Sequence, residues 1–198
     1  MSTGDSRFVA PTTTRPRVMR DGHNIIRSAR IPKPVVLVDT REREPFLLYR
    51  NHPNWIGGER RVALKTGDYT VEGMESLLCL ERKSLADLVA CTVTYRRRFL
   101  AACGRLAEFP RKAILVEATF EDIKGGFEGF DIPSEVHPNA VSGMLDAIEA
   151  KFGIPIIYTS TAPDLATERA ASWLSKHFTY WWLEQKGLGR VLIDADGL

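Results

Sequence analysis

The chain has 198 residues, 44% of them hydrophobic and 26% charged, with a formal net charge of +2. That length suits one globular domain plus a tail, with enough core to fold without disulfide or metal staples. No apolar run approaches the ~18 residues of a membrane span, no secretory leader is expected, and the three cysteines form no Cys-x-x-Cys pair, so neither a disulfide framework nor a zinc site is expected.

Residues 1–33 show no sustained periodicity. They carry seven basic residues (Arg7, Arg15, Arg17, Arg20, Arg27, Arg30, Lys33) against Asp5 and Asp21, a local charge of +5 on a body of −3. They read as a flexible basic arm, and such charge suits a nucleic-acid partner because cations near phosphates release counterions. The folded domain is expected over residues 34–188, with a tail at 189–198. Residues 35–38 are a β-branched run ending in Asp39 and predict a buried strand. Residues 51–58 read as a turn-rich loop. Residues 61–65 and 69–71 read as strand pieces around Gly67, residues 72–75 as a hairpin turn, and residues 77–81 as a strand in the middle of the sheet. Ser84 is a candidate N-cap for helix to about Glu108, with a break at the β-branched run Thr92-Val93-Thr94. Residues 113–116 predict another buried strand, residues 125–138 a loop, residues 141–152 a helix and residues 154–158 a strand. Residues 163–186 predict a last helix with Ala166, Ala170, Trp173, Leu174, His177 and Trp181 along one stripe. The alternation of strands and helices gives the α/β class, a central sheet covered by helices.

Asp39, Glu42, Asp68 and Glu81 lie at or beside predicted strand ends. The hairpin brings Asp68 and Glu81 together. Strand alternation sends Glu81 and Lys83 to one side and Arg82 to the other, although the Arg82 carbonyl stays available to a cation. Clustered carboxylates repel unless a cation relieves them, and a hard divalent ion such as Mg²⁺ suits oxygen donors and phosphate chemistry. Lys83 is placed to orient an attacking water or to stabilise developing charge.

The residues Val38-Asp39-Thr40-Arg41-Glu42, then Gly67-Asp68-Tyr69, then Glu81-Arg82-Lys83-Ser84 with Asp87 and Leu88, resemble the nuclease domain of the XPF family of structure-specific endonucleases. The likeness continues through Arg96 to Phe99, Arg105-Leu106 and residues 115–118, and covers roughly residues 35–160. It implies a restriction-endonuclease-like core with a mixed sheet. It also implies Mg²⁺ or Mn²⁺ held by Asp68, Glu81 and the Arg82 carbonyl. Asp39, Glu42 and Asp87 match acids that line the family's site, and Lys83 matches its catalytic lysine. The implied reaction is hydrolysis of a DNA phosphodiester at a branch or flap by a homodimer or heterodimer, cytoplasmic and nucleoid-associated, or nuclear in a eukaryote. Relatives usually carry helix-hairpin-helix repeats after this domain, and many have a serine near Cys91 and a glutamine in residues 96–102. The sequence shows none of these, so it resembles the short stand-alone bacterial or phage members. A less selective nuclease on single-stranded or duplex DNA, and a non-catalytic DNA-binding subunit, are the rival readings. Degenerate members lose the acids or the lysine, and this sequence keeps them.

Arg96, Arg97 and Arg98 cannot all face the core of one helix. With Arg60 and Arg61 they are the residues expected to follow the phosphate backbone. Phe178, Tyr180, Trp181 and Trp182 supply more apolar surface than one helix face needs, as core or as a subunit interface.

Overall fold

The computed structural model describes residues 18–20, 23–25, 31–127, 129, 130, 132 and 136–187. Strands β1 (Val18–Arg20) and β2 (His23–Ile25) pair antiparallel. They fall in the expected arm, and three-residue strands are too short to show alternation. The rest of the arm up to residue 30 and the expected tail lie outside the described residues.

The body is a six-stranded mixed sheet in the order β4-β3-β5-β6-β7-β8, formed by β3 (Val35–Asp39), β4 (Gly58–Val62), β5 (Tyr69–Val71), β6 (Leu78–Ser84), β7 (Arg111–Glu117) and β8 (Ile156–Tyr158). β5 runs antiparallel to both β3 and β6, while β4 is parallel to β3 and β7 is parallel to β6 and β8. Helices α1 (Leu48–Asn51), α2 (Leu85–Val93), α3 (Arg96–Leu106), α4 (Phe120–Lys124), α5 (Pro138–Phe152) and α6 (Pro163–Gln185) make the connections and covers. Among the described residues no helix is long and apolar enough to cross a membrane.

Side-chain alternation along β6 divides the core in two. Leu78 and Leu80 join Val36, Tyr69, Leu115 and the α6 residues Ala170 and Leu174 on one face. Cys79 joins Ile114, Val116, Leu88 on α2, Phe99 on α3 and Leu145 on α5 on the other. Each such side chain, fully buried, contributes about 1.5–3 kcal/mol. Both faces of the central strands are therefore covered, while the edge strand β4 is largely exposed. Ser84 caps α2, its Oγ accepting from Asp87 N at 3.1 Å. The expected long helix is broken at Thr94 and Tyr95 into α2 and α3.

Three expectations needed correction. The strand expected at residues 61–65 is β4, which starts at Gly58, inside the supposed loop, and pairs parallel with β3. Short helices α1 and α4 stand where no helix was read, because four- and five-residue segments show too little of a 3.6 period. His177 is half-buried against the Trp173 ring, with centroids 4.1 Å apart, rather than within the core. Burial and the charges of Arg111 and Arg169 lower its pKa to about 4. Phe178 is buried, and Trp181 and Trp182 pack partly onto the α6-side core.

Candidate active site

β6 outruns its neighbour. β5 starts at Tyr69, opposite Leu80, while β6 continues to Ser84. The chain turns away before β5 at Gly67, where φ is +74° and an added Cβ would collide with Cys79 Sγ. Only glycine tolerates both conditions. The turn delivers Asp68 onto the overhanging end of β6. Its amide donates to the Leu80 carbonyl at 3.0 Å, and its Oδ2 accepts from the Arg82 amide at 2.7 Å. In a strand the N–H and C=O of one residue point to the same edge, so the Arg82 carbonyl also faces the Asp68 side.

Glu81 and Lys83 stand together on the α2–α3 face, as alternation requires. Lys83 Nζ donates to Glu81 Oε1 at 2.5 Å and lies 5.4 Å from the centre of the Phe99 ring. Burial acts to lower the Lys83 pKa, but the charge and hydrogen bond of Glu81 prevail and hold it above its ordinary value. One ammonium does not balance the site. Burial, then the charge of Glu81, pushes the Asp68 carboxyl up to about 7, against the Arg82 amide and Lys83.

Arg82 points to the opposite face and is fully engaged there. Its Nε donates to Glu117 Oε1 at 2.6 Å and its Nη2 to Glu117 Oε2 at 3.0 Å, a two-pronged fork. Nη1 donates to Glu42 Oε1 at 3.3 Å and to the Glu44 carbonyl at 2.5 Å. The guanidinium lies 4.2 Å over the Phe46 ring, and Phe46 N donates to Tyr69 Oη at 3.0 Å. Arg82 and Tyr69 thus fasten the segment after β3 across the end of the sheet.

A cavity of about 380 Å³ opens at this end, lined in part by Glu42, Asp68, Arg82, Ser84, Asp87 and Glu117. Four expected residues therefore share one space, and Glu81 and Lys83 adjoin it through β6. Asp39 is buried and bound by Arg41, whose Nη2 donates to Oδ2 at 2.5 Å and whose backbone amide donates to Oδ1 at 2.7 Å. The Arg41 hydrogen bonds hold Asp39 below the usual carboxylate range despite its burial. Asp87 accepts from Ser84 Oγ at 2.9 Å.

The expected phosphate contacts separate into two groups. Arg60 pairs with Glu72, and Arg61 donates to the Thr40 carbonyl at 3.1 Å and the Glu42 carbonyl at 2.5 Å, so both have partners within the protein. Arg96, Arg97 and Arg98 are exposed, and among the described residues no carboxylate pairs with them. Arg41 was legible only as a letter in the first motif, although it neutralises Asp39. Glu117 reads in sequence equally as support for the metal site or as a polar strand end, with nothing local to mark it as the partner of Arg82.

The donor set fits a lightly held hard cation. Among the described residues no group of three or more His, Cys, Asp or Glu could hold a metal. The expected donors, the Asp68 and Glu81 carboxylates and the Arg82 carbonyl, would leave half of an octahedron to water and phosphate, as Mg²⁺ accepts. A zinc cage would need the imidazoles or thiolates that are absent from this cluster.

The model of the ERCC4 domain matches residues 30–168. A putative ATP-dependent RNA helicase of Methanocaldococcus jannaschii is 30% identical over 142 residues, 69% of this chain but 15% of that protein. The structure of XPF from Aeropyrum pernix in complex with DNA superposes with a TM-score of 0.54 at 22% identity, covering 78% of this chain and 66% of that one. A second structure of XPF from Aeropyrum pernix gives a TM-score of 0.54 at 20% identity, covering 77% of this chain and 73% of that one. At those identities the likeness establishes the fold: a mixed sheet flanked by helices, shared with archaeal XPF. With the family match spanning well over half its length, the chain belongs to the ERCC4 domain family.

Proposed function

We propose that this protein is a Mg²⁺- or Mn²⁺-dependent endonuclease that hydrolyses DNA phosphodiesters at branched or flapped structures. The observation that carries this reading is the neighbouring carboxylates Asp68 and Glu81, the first lining an open cavity and the second bonded to the Lys83 ammonium. Asp68, Glu81 and the Arg82 carbonyl are the groups to hold the ion. A bound divalent ion supplies positive charge against the phosphodiester and acidifies water.

The protein's own groups supply the rest. Lys83 is held protonated by Glu81, so its role is that of a charged donor to the attacking water or to a phosphate oxygen, not that of a base. Arg82 fixes Glu42 beside the cavity while its backbone holds Asp68. Glu42 and Asp87 border the space in which water and substrate would be ordered. Arg96, Arg97 and Arg98, which pair with no carboxylate among the described residues, are the proposed phosphate contacts. The same reading carries a two-chain assembly, homodimer or heterodimer, checked by sedimentation.

The test is cleavage of flap, fork, duplex and single-stranded oligonucleotides with Mg²⁺, Mn²⁺ or EDTA. The reading expects metal-dependent cutting, fastest on flap or fork, that is lost in Asp68→Ala and Lys83→Ala. Equal rates on all four substrates would remove branch selectivity. Binding without cutting under every condition would favour a non-catalytic subunit.

A further inference from the structure

Beyond the metal site, one patch of the described surface combines charge with exposed aromatic surface and a hollow. At the start of α3, Thr94, Tyr95, Arg97, Arg98 and Ala101 surround a concavity of about 400 Å³. Tyr95 is 54% exposed and Val93 beside it 61%, values that a core-packing role does not explain. The arginines at its wall have no carboxylate partner among the described residues. Arg60 and Arg61, equally basic in sequence, are by contrast occupied within the protein. The position also matters. Phe99, whose ring lies under the Lys83 ammonium, is on the same helix, and one helical turn advances about 5.4 Å. The patch is therefore about a turn away from the ring that supports Lys83.

Duplex backbone offers phosphates but no base faces, so arginines alone would serve it. An exposed aromatic ring and an apolar rim beside those arginines suit a nucleotide whose base is free to stack. We propose that this hollow holds an unpaired nucleotide of the DNA substrate, Tyr95 stacking on the base while Arg97 and Arg98 neutralise the flanking phosphates. The site would then select substrates with a single-stranded arm near the cleaved bond. This rests on the nuclease reading of the neighbouring cavity.

Binding is measured by fluorescence anisotropy in EDTA, where no cutting occurs, with a flap, a plain duplex and a single strand of DNA. 2-Aminopurine in the unpaired arm reports stacking. Tyr95→Ala should weaken flap and single-strand binding by about tenfold and relieve 2-aminopurine quenching. It should leave duplex binding within about twofold, and Tyr95→Phe should behave as the parent. Joint replacement of Arg97 and Arg98 by Ala should lower the salt slope of single-strand binding by roughly 1.4, about 0.7 for each phosphate that is no longer neutralised. Equal weakening on duplex and single strand, or unchanged quenching in Tyr95→Ala, would overturn the proposal. Either result leaves the nuclease reading standing if metal-dependent cleavage persists, whereas loss of that reading shows as absent cleavage in the unaltered protein.

Discussion

Three consecutive residues of β6 face two different electrostatic environments. On one side Arg82 meets Glu117 with a two-pronged fork, Glu42 with a single contact at 3.3 Å and a flat ring beneath it, so both carboxylates bond to the one guanidinium. On the other, the single ammonium of Lys83 bonds to Glu81, and Asp68, which accepts from the Arg82 amide, holds its proton to about 7. The first arrangement is complete and fastens the chain. The second leaves one of its two carboxylates, Asp68, with a backbone amide and no side-chain cation bonded to it, which is what a site that recruits a cation requires. The same alternation that divides the core also divides structural from chemical duty.

The largest expected effect breaks the chemical side alone. Asp68→Ala and Lys83→Ala should each reduce metal-dependent cleavage by at least about 10²-fold, with the circular dichroism spectrum of a folded protein retained at the assay temperature. Residual cleavage near the parental rate would remove those residues from the chemistry. Arg82→Ala breaks the opposite side. It strands Glu117 and Glu42 in a partly buried setting and should cost about 3 kcal/mol, or roughly 10 °C of midpoint for a chain of this size. A shift below about 2 °C would show that the forks fasten nothing.

Titration sharpens the comparison further. The Asp68 carboxyl stands at about 7 in the fold, above its unfolded value near 3.9, so the fold favours its protonated form. That stabilisation is complete below about pH 4 and is lost as the pH rises through 7. The metal-free midpoint should therefore fall between pH 5.5 and 8 by about 5 °C more than in Asp68→Asn. Differential scanning calorimetry reads the difference, and identical slopes would contradict it. His177, remote from the site, gives the smallest effect and the opposite sign. Its folded value of about 4 lies below the ordinary 6.5, so stability is kept above pH 6.5 and lost as the pH falls toward 4. His177→Gln should raise the midpoint at pH 5 by about 2 °C and leave it unchanged at pH 8.

Much of this is legible in the sequence alone, and the reason is alternation. Period two puts Glu81 with Lys83 and separates Arg82, and the β-branched run Thr92-Val93-Thr94 reaches the break between α2 and α3 at Thr94 and Tyr95. What stayed hidden depends on partners distant in sequence. Gly58 belongs to a strand because it lies beside Val35, a pairing that no local pattern announces. Arg60 and Arg61 look like Arg96, Arg97 and Arg98 in composition, yet Glu72 and two loop carbonyls engage the first pair. Asp39 reads as one more acid of the cluster, and its partner Arg41, only two residues on, is the local exception, a turn contact that periodicity does not mark. Long-range partner choice, not residue type, decides which charges are spent and which remain for a ligand.

The most direct test of the central claim is calorimetric titration of the full chain with Mn²⁺ at pH 8, repeated for Asp68→Asn, Glu81→Gln and Glu117→Gln. Asp68 and Glu81 are expected to be required for saturable Mn²⁺ uptake, and the uptake should weaken as the pH falls below 7 because Asp68 must release its proton. Glu117→Gln should bind Mn²⁺ much as the parent does. Undiminished uptake by Asp68→Asn and Glu81→Gln, or loss of uptake in Glu117→Gln alone, would contradict the account.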